Sequence, residues 1–347
     1  MAQLSHAAPL CVRAPRPGEG TRIALLWRDL WEVHERWGGY PGSRESEVYA
    51  QLAIRLDGDA TVRARNPTLG RHVHLVADLG GVLSGQVEGW LDHLGTDGST
   101  PPTCEVRSLI VGEYARGLGV GRALLETLAA TARRTLGAKC ILAAEVLEHN
   151  PAKAFYGRIG YEPVSWNARI DTLAPPAPGP VAARLAVPQD ALCIARLEAA
   201  LADRRRAAGD MRFDRPRALD ATLVGAIAAL LANEAAAPLR DPATLVAVDA
   251  KGVVRGAASF TVHMLQAPFL PVRRALIARL ALDPACPAQP LVAPLVTLGC
   301  RLAAAQRVQH IEVTDLTAPS TELHEAVLAT GARAWSLVVV NNSPGPA

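Results

Sequence analysis

The sequence predicts an α/β protein, a mixed sheet dressed with helices, arranged as two tandem domains. Three observations lead there. Runs of β-branched and apolar residues alternate along the chain with stretches of helical periodicity. A stiff segment, Pro175-Pro176-Ala177-Pro178-Gly179-Pro180, falls near the middle of 347 residues and leaves two parts each long enough to bury a core. The second part then repeats the element order of the first, as a duplication would.

The elements of the first part follow one another with recognisable punctuation. Residues 9–14 read as a strand, and Ile23, Leu26, Trp27, Leu30, Trp31 and His34 share one helical face. Trp37-Gly38-Gly39-Tyr40-Pro41-Gly42 is an aromatic loop, and Ser43 is placed to cap a second helix running to about Leu56. Residues 71–77 and 82–91 alternate around Gly80-Gly81 as a hairpin, and Asp97 to Pro102 marks a loop into the strand Val106 to Val111. After Arg116-Gly117-Leu118-Gly119-Val120-Gly121 comes a helix whose buried face carries Val120, Leu124, Leu128, Ala132 and Leu136. Ile141 to Val146 is the next strand, and Asn150-Pro151 opens a helix that Gly160 ends. A last strand over about 163–172 is expected to finish the first domain.

Composition bounds the function. Hydrophobic content of 50%, charged content of 20% and a net charge of +3 describe a globular chain with no case for a nucleic-acid or membrane partner. Arg204-Arg205-Arg206 is expected to form a short solvated helix face. Six cysteines show no zinc spacing and no disulfide framework, so buried free thiols and no metal are expected. Met1 to Leu10 lacks the pattern of a secretory signal, and no run of 18 apolar residues occurs, so a cytoplasmic location is the default expectation.

The glycine loop carries the chemistry. Glycines let backbone N–H groups turn toward an anion, the helix N-terminus adds partial positive charge, and Arg116 adds a full one. No Lys-Ser or Lys-Thr follows, which excludes the nucleoside-triphosphate loop, and Leu124 stands where a dinucleotide fingerprint needs its third glycine. What remains is [RQ]-x-x-G-x-[GA], met by Arg116, Gly119 and Gly121, followed by Asn150, Ala154, Phe155, Tyr156, Gly160 and Tyr161 in the order N…A-F-Y-x-x-x-G-Y.

In these residues the stretch resembles the GNAT family of N-acetyltransferases. It departs in three places: one residue fewer separates Asn150 from Phe155, Ala154 stands one place later than the family's alanine, and Glu113 stands where a proline is common. The resemblance implies two tandem GNAT-like domains: residues 1–173 catalytic, 174–180 a linker, and 181–347 a degenerate copy. It implies acetyl-CoA as acyl donor, held by Leu109, Val111, Arg116, Gly117, Leu118, Gly119, Val120, Gly121, Arg122, Asn150, Ala154 and Tyr156. In that family the first two helices and their connection form part of the acceptor site, which points to Trp31, His34, Glu35, Trp37 and Tyr40.

Two hairpins, at His74 and at Thr244, look alike, and placing Ser108 over Arg279 puts Gly160 near Gly331 in the same register. On that alignment Arg116, Gly119 and Gly121 become Pro287, Pro290 and Val292, and Tyr156 becomes Val327. Proline removes a donor and valine resists positive φ, so the second loop is not expected to wrap a diphosphate.

Acyl transfer to an ammonium needs a general base, worth roughly 10² to 10⁴ in rate. Glu105, on the strand before the loop, is the first candidate, with Glu113 and His34 as alternatives. Tyr156 is the expected acid for the leaving thiolate, and Leu109 and Val111 are expected to offer backbone groups where the strand splays from its neighbour. Cys104 and Cys140 lack an activating histidine beside them in sequence, so direct attack in a ternary complex is expected. The expected activity is N-acetylation of a small primary amine by a monomer or homodimer. A protein lysine or N-terminal acceptor, and a non-catalytic acyl-CoA-binding module, are the alternatives.

Overall fold

In the computed structural model, residues 9–65, 71–92, 101–171, 181–213, 219–236, 241–317 and 321–341 are described. The chain divides into two compact units, the first comprising Met1–Glu162, Gln266–Leu270 and Val339–Ala347, the second Pro163–Leu265 and Pro271–Val338. The expected linker at 174–180 and the loop from Asp97 lie outside the described residues.

The first unit runs β1 (Leu10–Arg13), α1 (Gly20–His34), α2 (Ser46–Arg65), β2 (His72–Leu79), β3 (Val82–Asp92), β4 (Thr103–Val111), α3 (Val120–Leu136), β5 (Cys140–Leu147) and α4 (Ala152–Arg158). β1 to β4 are joined antiparallel in sequence order, and β5 lies parallel to β4. α2 begins later than Ser43 and runs past Leu56, because Leu52, Ala53, Leu56 and Ala60 continue one buried face. α1 and α2 cover one side of the sheet, packing Ile23, Leu26, Leu52 and Leu56 with Val76, Leu83 and Ile110. α3 covers the other side closely. A Cβ at Gly89 would stand 2.8 Å from Leu128, and one at Gly85 3.1 Å from Leu124, so these two glycines let the helix approach β3.

The second unit continues with β6 (Glu162–Ile170), β7 (Ala182–Leu185), α5 (Ala191–Ala207), α6 (Ala221–Ala236), β8 (Ala243–Val248), β9 (Val254–Met264), β10 (Arg273–Leu282), α7 (Ala288–Ala305), β11 (His310–Thr317), α8 (Thr321–Leu328) and β12 (Ala332–Asn341). From β7 through α8 the order of elements is that of the first unit. The strand expected to finish the first domain forms as β6, but it pairs antiparallel with β11, with Ile170 opposite Ile311 and Ala168 opposite Val313. Its polar residues explain the choice. Ser165 Oγ donates to Asp315 Oδ1 at 3.0 Å, and Asp315 N–H donates to Asn167 Oδ1 at 2.8 Å. α7 is long and apolar enough to cross a membrane by length and composition, and here Leu291, Val292, Leu295, Val296 and Cys300 lie in the unit's core.

Two backbone features recur. β4 and β5 are paired only from Thr103–Cys140 to Val106–Ala143, although both strands run on. β10 and β11 likewise pair only as far as Ala278 and Thr314. In each unit the strand before the long helix also carries a bulge against its hairpin partner, at Arg107 in β4 and between Ala278 and Ala281 in β10.

Asp315 is the polar centre of the second unit. Arg205 binds its carboxylate and carbonyl, and Arg212 reaches it at 3.1 Å while also pairing with Asp210 at 2.6 Å. Burial alone would raise the Asp315 pKa, but Arg212 and Arg205 outweigh it and hold the carboxyl well below its ordinary value. Asp315→Asn leaves the deeply buried Arg205 without its counter-charge and should cost about 3 kcal/mol by chemical denaturation. A depressed carboxyl stabilises above its unfolded value, near about 4, so the gap between wild type and variant should narrow as pH falls below that.

Candidate active site

The early end of the β4–β5 ladder leaves the last residues of β4 open toward a cleft of about 460 Å³. Leu109, Ile110 and Val111 form one wall, and Arg116, Gly117, Gly119, Val120, Gly121 and Arg122 form the floor. Asn150, Pro151, Ala152, Phe155, Arg158 and Ile159 close the far side, with Leu30 and Trp37 at the near one.

The floor has features that favour an anion. Gly117 and Gly119 have φ of 80° and 82°, the left-handed region that a side chain resists, and nothing stands within 4 Å of a Cβ at either. Gly119 is the N-cap of α3 and supplies no side-chain cap, so the first-turn N–H groups are open to a ligand. Gly121 has a different reason to be small: a Cβ there would come within 3.3 Å of Phe155. Arg116, Arg122 and Arg158 stand around the floor, which suits a diphosphate carrying several charges.

The other expected residues are distributed unevenly. Asn150 caps α4 as expected, its Oδ1 accepting the Ala152 N–H at 2.9 Å. Leu118 and Ala154 do not line the cleft. Tyr156 is 7% exposed, its ring 5.4 Å from that of Tyr161, and the neighbouring Phe155 lines the cleft instead. Burial raises the Tyr156 phenol pKa, so it stays protonated. Glu105 shares the sheet face of Ser108, opposite α3, and lies 3.5 Å from Arg107. Glu113 is exposed in a short 3-10 turn.

Of the aromatic segment, Trp37 reaches the cleft, whereas Trp31 and Tyr40 are 5% and 1% exposed and pack against Phe269. Glu35 is exposed, with Arg44 at 3.7 Å. His34 lies edge-on to Trp31, ring centres 5.1 Å apart. Burial lowers its pKa to about 4, opposed in part by the negative charge of Glu145. Cys104 is buried and its thiol is pushed up to about 12, chiefly by that burial, so it is no thiolate nucleophile. All six cysteines are free.

Sequence reasoning missed Phe155, Arg158 and Leu30 in the cleft, and a buried polar row beside it. His74 Nε2 meets Gln86 Oε1 at 2.8 Å, and Gln86 Nε2 donates to Ser108 Oγ at 3.0 Å. The signal was present in the polar residues His72, His74, Gln86 and Glu88, spaced two apart on strands that are otherwise apolar.

The start of α3 thus lies beside a parted pair of parallel strands. Residues 27–161 match the acetyltransferase (GNAT) family, so this part of the chain is an acetyltransferase domain of that family and the protein an acyltransferase. The chain is also similar to the GCN5-related N-acetyltransferase from Sphaerobacter thermophilus, 16% identical, with 98% of each chain covered and a TM-score of 0.55. A second similar structure is the GCN5-related glucosamine N-acetyltransferase region of a fungal multi-domain GH3 β-N-acetylglucosaminidase. It is 14% identical with a TM-score of 0.55, covering 96% of this chain and 38% of that one. At these identities the likeness is one of fold. Comparison with curated proteins gives no match.

Two outcomes follow from the local geometry. Gly119→Ala should destabilise the protein by about 1 to 2 kcal/mol in thermal melts, the cost of a side chain in the left-handed region. The His34 ring protons should keep neutral-imidazole NMR shifts until pH falls to about 4.

Proposed function

We propose that this protein transfers an acetyl group from acetyl-CoA to the primary amine of a small molecule, by direct attack in a ternary complex. The observation that carries this is the coincidence, in one cleft, of the glycine floor at the start of α3 with the end of β4 that β5 leaves open. Amides and arginines at the floor suit the diphosphate of the donor. Backbone groups of Leu109 and Val111, released from β5, suit its amide-bearing arm and can face the thioester oxygen.

The chemistry divides among few groups. The amine is mostly an ammonium at neutral pH and must lose a proton before it attacks. Glu105 acts as the acceptor of that proton, through water, from the sheet face opposite α3. Tyr156 is protonated and donates a hydrogen bond to the sulfur that leaves. Complete transfer from this phenol would be uphill, because a thiol ordinarily ionises near about 8.5, so the tyrosine assists departure rather than being indispensable. The buried, protonated state of Cys104 favours direct attack over an acyl-enzyme.

The second unit does not duplicate this site. Where the first unit has its loop of glycines, α7 begins at Ala288, and the Ala288 N–H is taken by Glu322 Oε1 at 2.7 Å. A carboxylate of the chain itself thus sits at the helix start that an anion would need, which supports residues 181–347 as a degenerate copy beside a catalytic part at 1–173.

Calorimetry with acetyl-CoA and a thiol-release assay over a panel of amines test the proposal. Binding with amine-dependent CoA release is expected. Glu105→Gln should lower kcat by about 10² to 10³ and Tyr156→Phe by about tenfold. Binding without release for any amine would instead mark a coenzyme-binding module, and no binding would end the proposal.

A further inference from the structure

The second unit keeps a counterpart of the cleft and changes what lines it. The displacement that puts Gly38 on Gly209 (φ 84° and 82°) and Gly81 on Gly252 (83° and 78°) also puts Leu30 on Leu201, Leu109 on Leu280, Ala115 on Cys286 and Gly117 on Ala288. In each of these last four pairs the first residue lines the cleft, and the second lines a cavity of about 500 Å³ formed by residues of the second unit alone. Trp37 and Ala208 correspond in the same way, so a methyl group stands where the first unit has an indole. The walls are retained, with more room between them.

The charge differs as well. Val33 of α1 corresponds to Arg204, in the last turn of α5, and Arg204 lines the cavity. The run Arg204-Arg205-Arg206 is therefore not the solvated face its sequence suggests, because Arg205 is buried on Asp315 and Arg204 is half-buried in the cavity wall. Arg204 donates once, from Nη1 to the Leu282 carbonyl at 3.2 Å, and no carboxylate pairs with it among the described residues. Burial, and then the charge of Arg205, lower its pKa, as befits a guanidinium held without a counter-charge. The two acids of the lining are engaged elsewhere: Asp283 accepts from Arg255 at 2.9 Å and from the Ala285 N–H at 3.0 Å, and Glu322 holds the start of α7. Thr317, also in the lining, has its Oγ1 buried without a hydrogen-bond partner among the described residues.

We propose that this cavity binds a monocarboxylate with an apolar body, its head on the Arg204 guanidinium and its chain among Leu201, Leu280, Leu282 and Ala208. A planar carboxylate matches a guanidinium through two parallel hydrogen bonds, and the Thr317 hydroxyl offers a further donor to the same cavity. A phosphate ester or a diphosphate carries more charge than one arginine offsets, and Asp283 and Glu322 would repel the excess. The volume lies in the range of pockets that take small organic ligands. Such a site needs neither acetyl-CoA nor an amine, so it is independent of the acetyltransfer proposed above.

Calorimetry at pH 7 with acetate, hexanoate, octanoate and octylamine separates the head from the body. Affinity should rise by about threefold for each CH2 buried along the carboxylate series, and octylamine, the same body with the opposite charge, should bind about tenfold or more weakly than octanoate. Octanoate should also shield Cys286 from iodoacetamide in peptide mass mapping, with the exposed Cys11 as the unshielded control. Arg204→Met keeps the length of the side chain, removes its charge, and should weaken octanoate by about tenfold or more at an unchanged melting temperature. Ala208→Trp places the first unit's indole in the cavity, leaves Arg204 intact and should exclude octanoate; it decides the matter if Arg204→Met melts early. No binding of octanoate, equal binding of octylamine, indifference to chain length, an unshielded Cys286, or octanoate affinity that survives both substitutions overturns the assignment.

Discussion

The parting of β4 from β5 after Val106 is the constraint from which the site follows. Two parallel strands that stay paired would spend on each other the backbone groups that face one another and leave no entry between them. Here the bulge at Arg107 re-aims the strand, Leu109 to Val111 stay paired with β3 but not with β5, and the start of α3 comes to lie at the opened end. The glycines contribute only because of this: a loop of bare amides at a helix start is useful when a ligand's remaining length has somewhere to go.

The same parting recurs between β10 and β11, so the backbone device survived duplication while its chemistry changed. Charge has been balanced within the chain. Glu322 lies on the helix start of α7, and Arg205 and Arg212 lie on Asp315. A buried charge without a counter-charge is costly, so a copy that loses its ligands stays folded most readily when side chains take over the ligands' charges. The second unit nevertheless keeps a cavity of about 500 Å³ at the corresponding end of β10, bordered by Leu280, Leu282 and Ala288.

Much of the architecture was legible in the chain. Period and punctuation located the hairpin, the loop, α3, β5 and α4 to within a few residues, because each has a local cause: alternation, a glycine, a cap, a proline. The anion floor was legible for the same reason. The partner of β6 was not. Its pairing with β11 is decided by Ser165 and Asn167 meeting Asp315, groups about 150 residues distant, and alternation within a strand says nothing about which edge it joins. The acceptor side was also poorly legible, since Trp31, Trp37 and Tyr40 look alike in sequence while packing buries two of them and brings Trp37 to the cleft.

By itself, then, the sequence determined the duplicated α/β order, the loop from Arg116 to Gly121 and the loss of that loop's glycines in the second copy. Those properties reside in backbone conformations and hydrogen-bond donors that neighbouring residues decide. Tertiary structure alone decided that Phe155 and Arg158 face the cleft, that Tyr156 is buried beside Tyr161, and that Arg204 lines a cavity. Burial and the approach of charges depend on segments far apart along the chain, and no local pattern records them.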